Sequence, residues 1–468
     1  MMLFFGRWMK LIKAKKTLTV TLLLFALMVS VSIMPVSASF WATGGDNVVH
    51  DPTIIKVGNT WHVFSTGQGI QHHVSTDGIT WTRVSQVLSS PLSWWSQYVP
   101  NQSYNDVWAP DIEYYNGKYW LYYSISSFGS RVSAIGLLSA TNINGPWTDH
   151  GLVIRTTNSD NYNAIDPHLF IAPNGTPWLA FGSFWSGIKL TQLNPNTMKP
   201  TGQLYSIATR SGGIEAPTLA YRNGYYYLFA SIDSCCNGVN STYKMVVGRS
   251  TSITGPYVDK NGVSMLNGGG TIIDAGNSRW KGPGHQDVYE NSIIIRHSYD
   301  ATDNGTPKLL INDLYWDSAG WPTYDLVPGK YRLINKHSGK ALEVYNFSND
   351  DGGNVVQWTD WNGPYQQWNL VSSGGGYYRL INVGSGKALD VYGFSTQNGG
   401  NVVQWQDLNG HNQQWQFIDN GNGTYDVKNR HSGLLLEVYQ ASTADGANVV
   451  QWQDLNGANQ QWRLVQVP

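Results

Sequence analysis
Four stretches in the first two-thirds of the chain share one pattern, an Asn-led turn followed by a short run of aromatic and aliphatic residues. They are Asn59-Thr-Trp-His-Val-Phe-Ser, Asn116-Gly-Lys-Tyr-Trp-Leu-Tyr-Tyr-Ser, Asn174-Gly-Thr-Pro-Trp-Leu-Ala-Phe-Gly-Ser and Asn223-Gly-Tyr-Tyr-Tyr-Leu-Phe-Ala-Ser. Asn-Gly between two β-prone runs signals a hairpin. Upstream of each hairpin a Pro follows a polar or aromatic residue, at Asp51-Pro52, Trp108-Ala-Pro110, Asp166-Pro167 and Glu215-Ala-Pro217. A fifth unit, Gly284-His285-Gln-Asp-Val, leads into Ser292-Ile-Ile-Ile-Arg-His. Five units of about four strands each predict a five-bladed β-propeller over residues 39–326.

The last third repeats more strictly. Tyr331-Arg-Leu-Ile-Asn, Tyr378-Arg-Leu-Ile-Asn and Tyr425-Asp-Val-Lys-Asn open three copies that end in Gln-Gln-Trp at Trp368, Trp415 and Trp462, all at 47-residue intervals. One such unit cannot bury its own apolar face, so the pattern predicts a closed, pseudo-threefold β domain over 327–468. The chain is therefore expected to be all-β.

Composition changes the picture in three ways. With 30 Lys plus Arg against 31 Asp plus Glu, nothing favours a nucleic-acid partner. Fifty glycines, 21 tryptophans, 27 tyrosines and only 13% charged residues suit a many-turned β protein, and suit binding of sugars through their C–H faces. The N-terminus reads as a signal peptide, residues 1–38: basic Arg7, Lys10, Lys13, Lys15 and Lys16, an apolar run Thr17 to Met34, then Val36-Ser37-Ala38. The alternative is an uncleaved anchor. After cleavage the expectation is a secreted, extracellular monomer with no membrane contact. The two cysteines, Cys235 and Cys236, are adjacent, which leaves a vicinal disulfide or two buried thiols open.

The chemistry lies at the blade starts, where a propeller brings residues from different blades to one axis. Asp51, Asp166 and Glu215 stand at matched positions, with Trp108 and His285 filling the other two. One such acid alone could be structural, but glycoside hydrolysis needs two carboxyl groups, one protonated and one ionised, and a third can raise the pKa of the acid. The motifs His50-Asp51-Pro52, Val107-Trp-Ala-Pro-Asp111, Asn163-Ala-Ile-Asp166-Pro-His168, Gly182-Ser-Phe-Trp185 and Gly213-Ile-Glu215-Ala-Pro217 resemble glycoside hydrolase family 43. The resemblance implies Asp51 as general base, Glu215 as general acid and Asp166 as modulator. It also implies inversion, with the base and acid about 6.5–9.5 Å apart.

Within that family the chain is most similar to the endo-α-1,5-L-arabinanases, through these motifs, Ser126–Ser130, Ser133–Gly136 and Cys235-Cys236. That likeness implies arabinan of plant cell walls as partner and substrate. The implied sugar contacts are Trp108, Phe128, Gly136, Asn163, Ala164, Ile165, Asp166, Ser183, Phe184 and Trp185. It implies no organic cofactor, and a structural calcium or similar ion held at the axis by His285 and waters. An exo-acting arabinofuranosidase or β-xylosidase of the same family is the alternative, and a non-catalytic lectin is a third reading.

The threefold segment resembles the ricin-B-type β-trefoil, carbohydrate-binding module family 13. Carried over lobe by lobe, the resemblance implies sugar binding by Glu343, Gln357 and Trp358, by Asp390, Gln404, Trp405 and Asn412, and by Glu437, Gln451, Trp452 and Asn459. Tyr365 stands where the first lobe should have its Asn.

Overall fold
The computed structural model describes residues 41–467 apart from 42, 318, 325, 375, 421 and 422. The signal-peptide reading of residues 1–38 lies outside the described residues. The chain is all-β, a five-bladed propeller followed by a trefoil. The innermost strands of the blades are Thr53–Val57, Trp108–Tyr115, His168–Ile171, Ile214–Arg222 and Trp280–Tyr289. Central strands are apolar on both sides because each blade is packed between two others: Ser133–Ala140 is buried at every position. Outer strands such as Pro200–Ala208 are largely exposed. Two predicted hairpins, Asn116-Gly117 and Asn223-Gly224, have positive φ at both turn residues, the geometry that the Asn-Gly pair favours.

The ring closes by stitching its last blade to the start of the chain. The fifth blade supplies three strands, and the segment 41–49 runs beside the outermost of them. Trp41 N donates to Ile311 O (2.9 Å) and Leu309 N to Asn47 O (2.9 Å), while Gly44–Gly45 pairs with Thr80–Arg83 of the first blade.

Each innermost strand kinks at one residue in the left-handed region: Asp51 (φ 49°), Ala109 (42°), Asp166 (56°), Ala216 (51°) and His285 (50°). This corrects the matched-position reading. Asp51, Asp166 and His285 are equivalent, but Trp108 and Glu215 each stand one residue before the kink, so their side chains enter the cleft from a different angle. Two residues after the kinks lies a second ring, Thr53, Asp111, His168, Thr218 and Asp287, all buried. Each member bonds the neighbouring blade. Asp287 accepts from Thr53 Oγ1 (2.8 Å) and Ile54 N (2.9 Å), Thr53 Oγ1 from Ile112 N (3.3 Å), and Asp111 from Leu169 N (2.6 Å). His168 Nε2 reaches Leu219 O (3.3 Å) and Thr218 Oγ1 donates to Gln286 O (2.5 Å). The bonds therefore run through all five blade junctions.

In the trefoil, Trp368, Trp415 and Trp462 are fully buried, each indole N–H donating to a carbonyl of its own lobe. On the pseudo-threefold, Asn354, Asn448 and Asn401 form a closed amide ring with each Nδ2 donating to the next Oδ1 (2.9–3.0 Å). The hairpin Tyr315–Trp316 and Pro322–Thr323 belongs to both cores. Tyr315 packs in the trefoil and bonds Tyr425 Oη (2.8 Å), while Trp316 packs in the propeller and exchanges two backbone bonds with the Gln466 amide (3.0 Å each). Arg463 reaches Ser292, just past the turn that ends the innermost strand of blade five, so the trefoil docks on the propeller face opposite the kinks.

Thr53→Val keeps the shape of this side chain and removes the hydroxyl that joins blades five, one and two. It leaves the buried Ile112 N–H unpaired, and the expected loss of about 1–3 kcal/mol is measured from denaturant midpoints.

Candidate active site
The kinks open into one cleft of about 940 Å³. Its lining includes Asp51, Asp166, Glu215, Trp108, Phe128, Asn163, Ile165, Ser183, Phe184, Trp185 and His285. Two residues from the predicted set are not there. Gly136 lies inside a wholly buried strand with its Cα facing the Tyr123 ring, where an added Cβ would come within 2.4 Å. Ala164 is packed in the core between blades two and three. Neither forms the cleft wall. The aromatic lining is presented outward: Phe128 is 84% exposed, and Phe184 and Trp185 hold left-handed φ values of 51° and 40°. Such strain in non-glycine residues concentrates at ligand contacts.

Asp51 is surrounded by imidazoles. His50 Nδ1 lies 2.8 Å from Oδ2, His285 Nδ1 3.2 Å and His297 Nδ1 3.5 Å from Oδ1, and Thr66 Oγ1 donates to Oδ2 at 2.7 Å. Burial alone would raise this carboxyl, but His50, whose own pKa Asp51 raises, outweighs it through charge and a hydrogen bond and holds it well below the usual carboxylate range. Glu215 sits in the opposite environment. Burial raises it, against hydrogen bonds from Ser183 Oγ to Oε2 (2.6 Å) and Tyr243 Oη to Oε1 (2.7 Å), and the Asp51 charge raises it further. Asp166 is raised by burial and then by the charges of Glu215 and Asp51, while Ala216 N–H donates to its Oδ2 (3.2 Å). The repulsion is mutual, so Asp166 and Glu215 titrate as a pair that retains a proton while Asp51 stays ionised. Tyr243, His297, Tyr299 and Thr66 carried no assigned role in the sequence, because they come from other strands and loops and no spacing links them to the acids.

The residues around His285 test the axial ion. Its Nδ1 faces Asp51, which leaves Nε2 as the free ring nitrogen among the described residues, and burial lowers its pKa to favour the neutral, ligating form. Asp111, His168 and Asp287 gather nearby, but their hydrogen-bonding atoms already serve the blade junctions. The donor set fits a cation with one protein nitrogen and water for the rest.

In the trefoil the structure separates residues that the motif joined. Glu343 pairs with Val356, and Leu342 with Gln357, so Gln357 lies on the core face and cannot point where Glu343 points. Gln357, Gln404 and Gln451 are all fully buried and donate to carbonyls of a neighbouring lobe, for example Gln404 Nε2 to Ser348 O (2.8 Å). They join lobes and do not meet a sugar. Trp358, Trp405 and Trp452 are half-buried beside Tyr345, Tyr392 and Tyr439. The groups that meet the acids are the first glutamines of Gln-Gln-Trp: Gln366 to Glu343 (2.7 Å), Gln413 to Asp390 (2.9 Å) and Gln460 to Glu437 (2.8 Å). Their 23-residue offset from the acid recurs in every lobe and was the available signal. Asn412 also bonds Asp390 (2.9 Å), whereas in the first lobe Trp361 Nε1 bonds Glu343 (2.8 Å) and Tyr365 turns to Asn349.

Carboxyls whose ionisation states are pushed apart, gathered at the axis of a propeller, are the arrangement that glycoside hydrolysis requires. The chain belongs to glycosyl hydrolases family 43, whose profile matches residues 45–322. The profile described as ricin-type beta-trefoil lectin domain-like matches 316–405 and 411–468. The chain is 61% identical over 301 residues to an extracellular endo-alpha-(1->5)-L-arabinanase of Bacillus subtilis, covering 63% of this chain and 92% of that one. It is 40% identical to an extracellular exo-alpha-(1->5)-L-arabinofuranosidase of Cellvibrio japonicus, over 59% of this chain and 86% of that one. A solved endo-arabinanase of family 43 from Bacillus licheniformis superposes with a TM-score of 0.60 at 65% identity, covering 61% of this chain and all of that one.

Burial raises Asp390 from 3.8 to about 6, despite its bonds from Gln413 and Asn412. The stability contributed by the protonated acid is fully present below 3.8 and is lost as pH rises through about 6. Asp390→Asn is expected to raise the unfolding midpoint relative to wild type at pH 7 and to match it at pH 3.5, by denaturant titration at the two pH values.

Proposed function
We propose that this protein is a secreted, inverting endo-hydrolase of α-1,5-L-arabinofuranosidic bonds in plant cell-wall arabinan. The observation that carries the catalytic reading is the opposed pair, Asp51 held ionised by its imidazoles and Glu215 raised by burial. The substrate is supported by the 61% identity to a protein named as an endo-arabinanase. A cleft near the top of the ~300–1,000 Å³ range for ligand sites suits several sugar units better than one.

Asp51 accepts the proton of the attacking water, and Glu215 gives its proton to the departing glycosidic oxygen. Tyr243 is raised well above its ordinary pKa by burial and so stays a donor to Glu215 Oε1, which leaves Oε2 to carry the transferred proton. The Ser183 hydroxyl at Oε2 can donate or accept, and so can follow Glu215 between its two states. Asp166 keeps the proton on the pair by repulsion. Asn163 Oδ1, buried in the cleft wall without a partner among the described residues, suits a sugar hydroxyl. An axial cation would be held by His285 Nε2 and water, and would supply positive charge beside Asp51.

The trefoil is read as the polysaccharide-targeting domain. Glu343, Asp390 and Glu437 are all raised by burial, so each lobe keeps an acid that costs stability when ionised, and sugar recognition is the use that accounts for it. Because the trefoil docks opposite the cleft, it holds the enzyme on the polymer without entering the active site.

On debranched arabinan, Glu215→Gln and Asp51→Ala are expected to lower kcat by about 10²–10⁴-fold in a reducing-sugar assay, with short oligomers as the first wild-type products. Monosaccharide alone would favour the exo reading, and activity on xylan alone would overturn the substrate. Asp166→Asn removes the repulsion that retains the proton, so the alkaline limb of kcat/KM should move to lower pH; an unmoved limb would remove Asp166 from that role.

A further inference from the structure
The loop between the strands Tyr225–Ile232 and Lys244–Ser250 of blade four has two ends at the cleft. Near one end Tyr243 holds the acid Glu215. Near the other, Cys235 and Cys236 are joined by a disulfide and line the cleft, with Cys236 exposed. Stability does not explain this bond. A disulfide stabilises mainly by closing a loop in the unfolded chain, and two adjacent residues enclose almost none.

Its placement is specified nonetheless. Cys236 N donates to Tyr299 Oη (2.9 Å), and Ser234 O accepts from Thr242 N and Tyr243 N (2.9 and 3.1 Å). Cys236 is held at φ 65°, a conformation that costs a non-glycine residue about 1–2 kcal/mol. The disulfide has no charge and no side-chain N–H or O–H. Its ring leaves no rotamers to be frozen when a ligand lands on it. It also fills a gap in the lining. Trp108, Phe128 and Trp185 come from blades two and three, whereas the lining tyrosines of blades four and five, Tyr243 and Tyr299, are buried. Cys236 Sγ lies 4.0 Å from His50 Nε2, so this surface adjoins the group that braces the base.

We propose that the Cys235–Cys236 disulfide is a substrate platform, the rigid apolar surface on which the C–H face of a pentose unit rests on the side of the cleft away from Trp108 and Phe128. The proposal rests on the reading of the cleft as a polysaccharide site.

The test compares three forms of the full chain on linear arabino-oligosaccharides: wild type, the Cys235→Ser/Cys236→Ser double variant, and folded wild type reduced with a phosphine and verified by thiol count. The platform predicts that KM rises roughly five- to tenfold while kcat stays within about twofold, and that both modified forms behave alike. The reduced wild type keeps the test open if the variant fails to fold. An unchanged KM in both forms would overturn the platform. So would a loss confined to kcat, because the disulfide would then act through Tyr299 and His50 rather than by touching sugar. The two readings fail separately: wild-type inactivity on these oligosaccharides counts against the arabinan assignment, and wild-type activity with an unmoved KM counts against the platform.

Discussion

The propeller depends on the polar ring one layer below its axial cleft. A propeller blade is a sheet packed face to face with its neighbours, and apolar packing alone does not fix its rotation about the axis. Thr53, Asp111, His168, Thr218 and Asp287 fix it, because each bonds a backbone or side-chain group of the adjacent innermost strand. The ring is buried, so an unmade bond there carries the desolvation cost of the orphaned group. Burial alone would keep His168 neutral, but Asp111 and Asp287 raise it to about 9, so it stays charged.

That ring also aims the chemistry. Two residues upstream of it each strand kinks through a left-handed residue, and the kinks turn Asp51, Asp166 and His285 toward one point. Glu215 precedes its kink by one residue and meets hydroxyls of Ser183 and Tyr243, while Asp51 meets imidazoles. Identical chemistry at the Cγ and Cδ carboxyls thus acquires opposite protonation tendencies from position alone. The strain of five left-handed backbones is tolerated because the hydrogen-bonded ring below leaves them no alternative.

The trefoil applies a related device to a different end. Its three lobes are joined by buried glutamines that cross from lobe to lobe and by the closed Asn354–Asn448–Asn401 ring. Threefold repetition lets each of these bonds be made three times from one local pattern. The acid pockets, in contrast, have diverged: Asn412 completes the second lobe, whereas Trp361 and Tyr365 crowd the first. Docking through Tyr315, Trp316 and Gln466 leaves the axial cleft to the propeller alone.

Much of this architecture was legible in the chain. Hairpin turns, the Pro that follows four of the five kinks and the 47-residue repeat are local patterns, and local patterns dictate strands, blades and lobes through backbone sterics and burial. They also placed Asp51, Asp166, Glu215 and His285 in one cleft, because a propeller carries its strand starts to a common axis. What the chain could not show was direction. Whether Gly136 faces sugar or the Tyr123 ring, and whether Gln404 or Gln413 meets Asp390, depends on which face of a strand each residue takes once its partner strand is in register. The imidazole cage of Asp51, the hydroxyls on Glu215 and the bond between Cys235 and Cys236 at the cleft edge arise from contacts between segments far apart in sequence. Sequence alone determined the repeat, the blades and the residues that carry charge to the axis. Only the tertiary structure decided which of those charges is held and which is given up, because a pKa is set by neighbours that packing alone brings together.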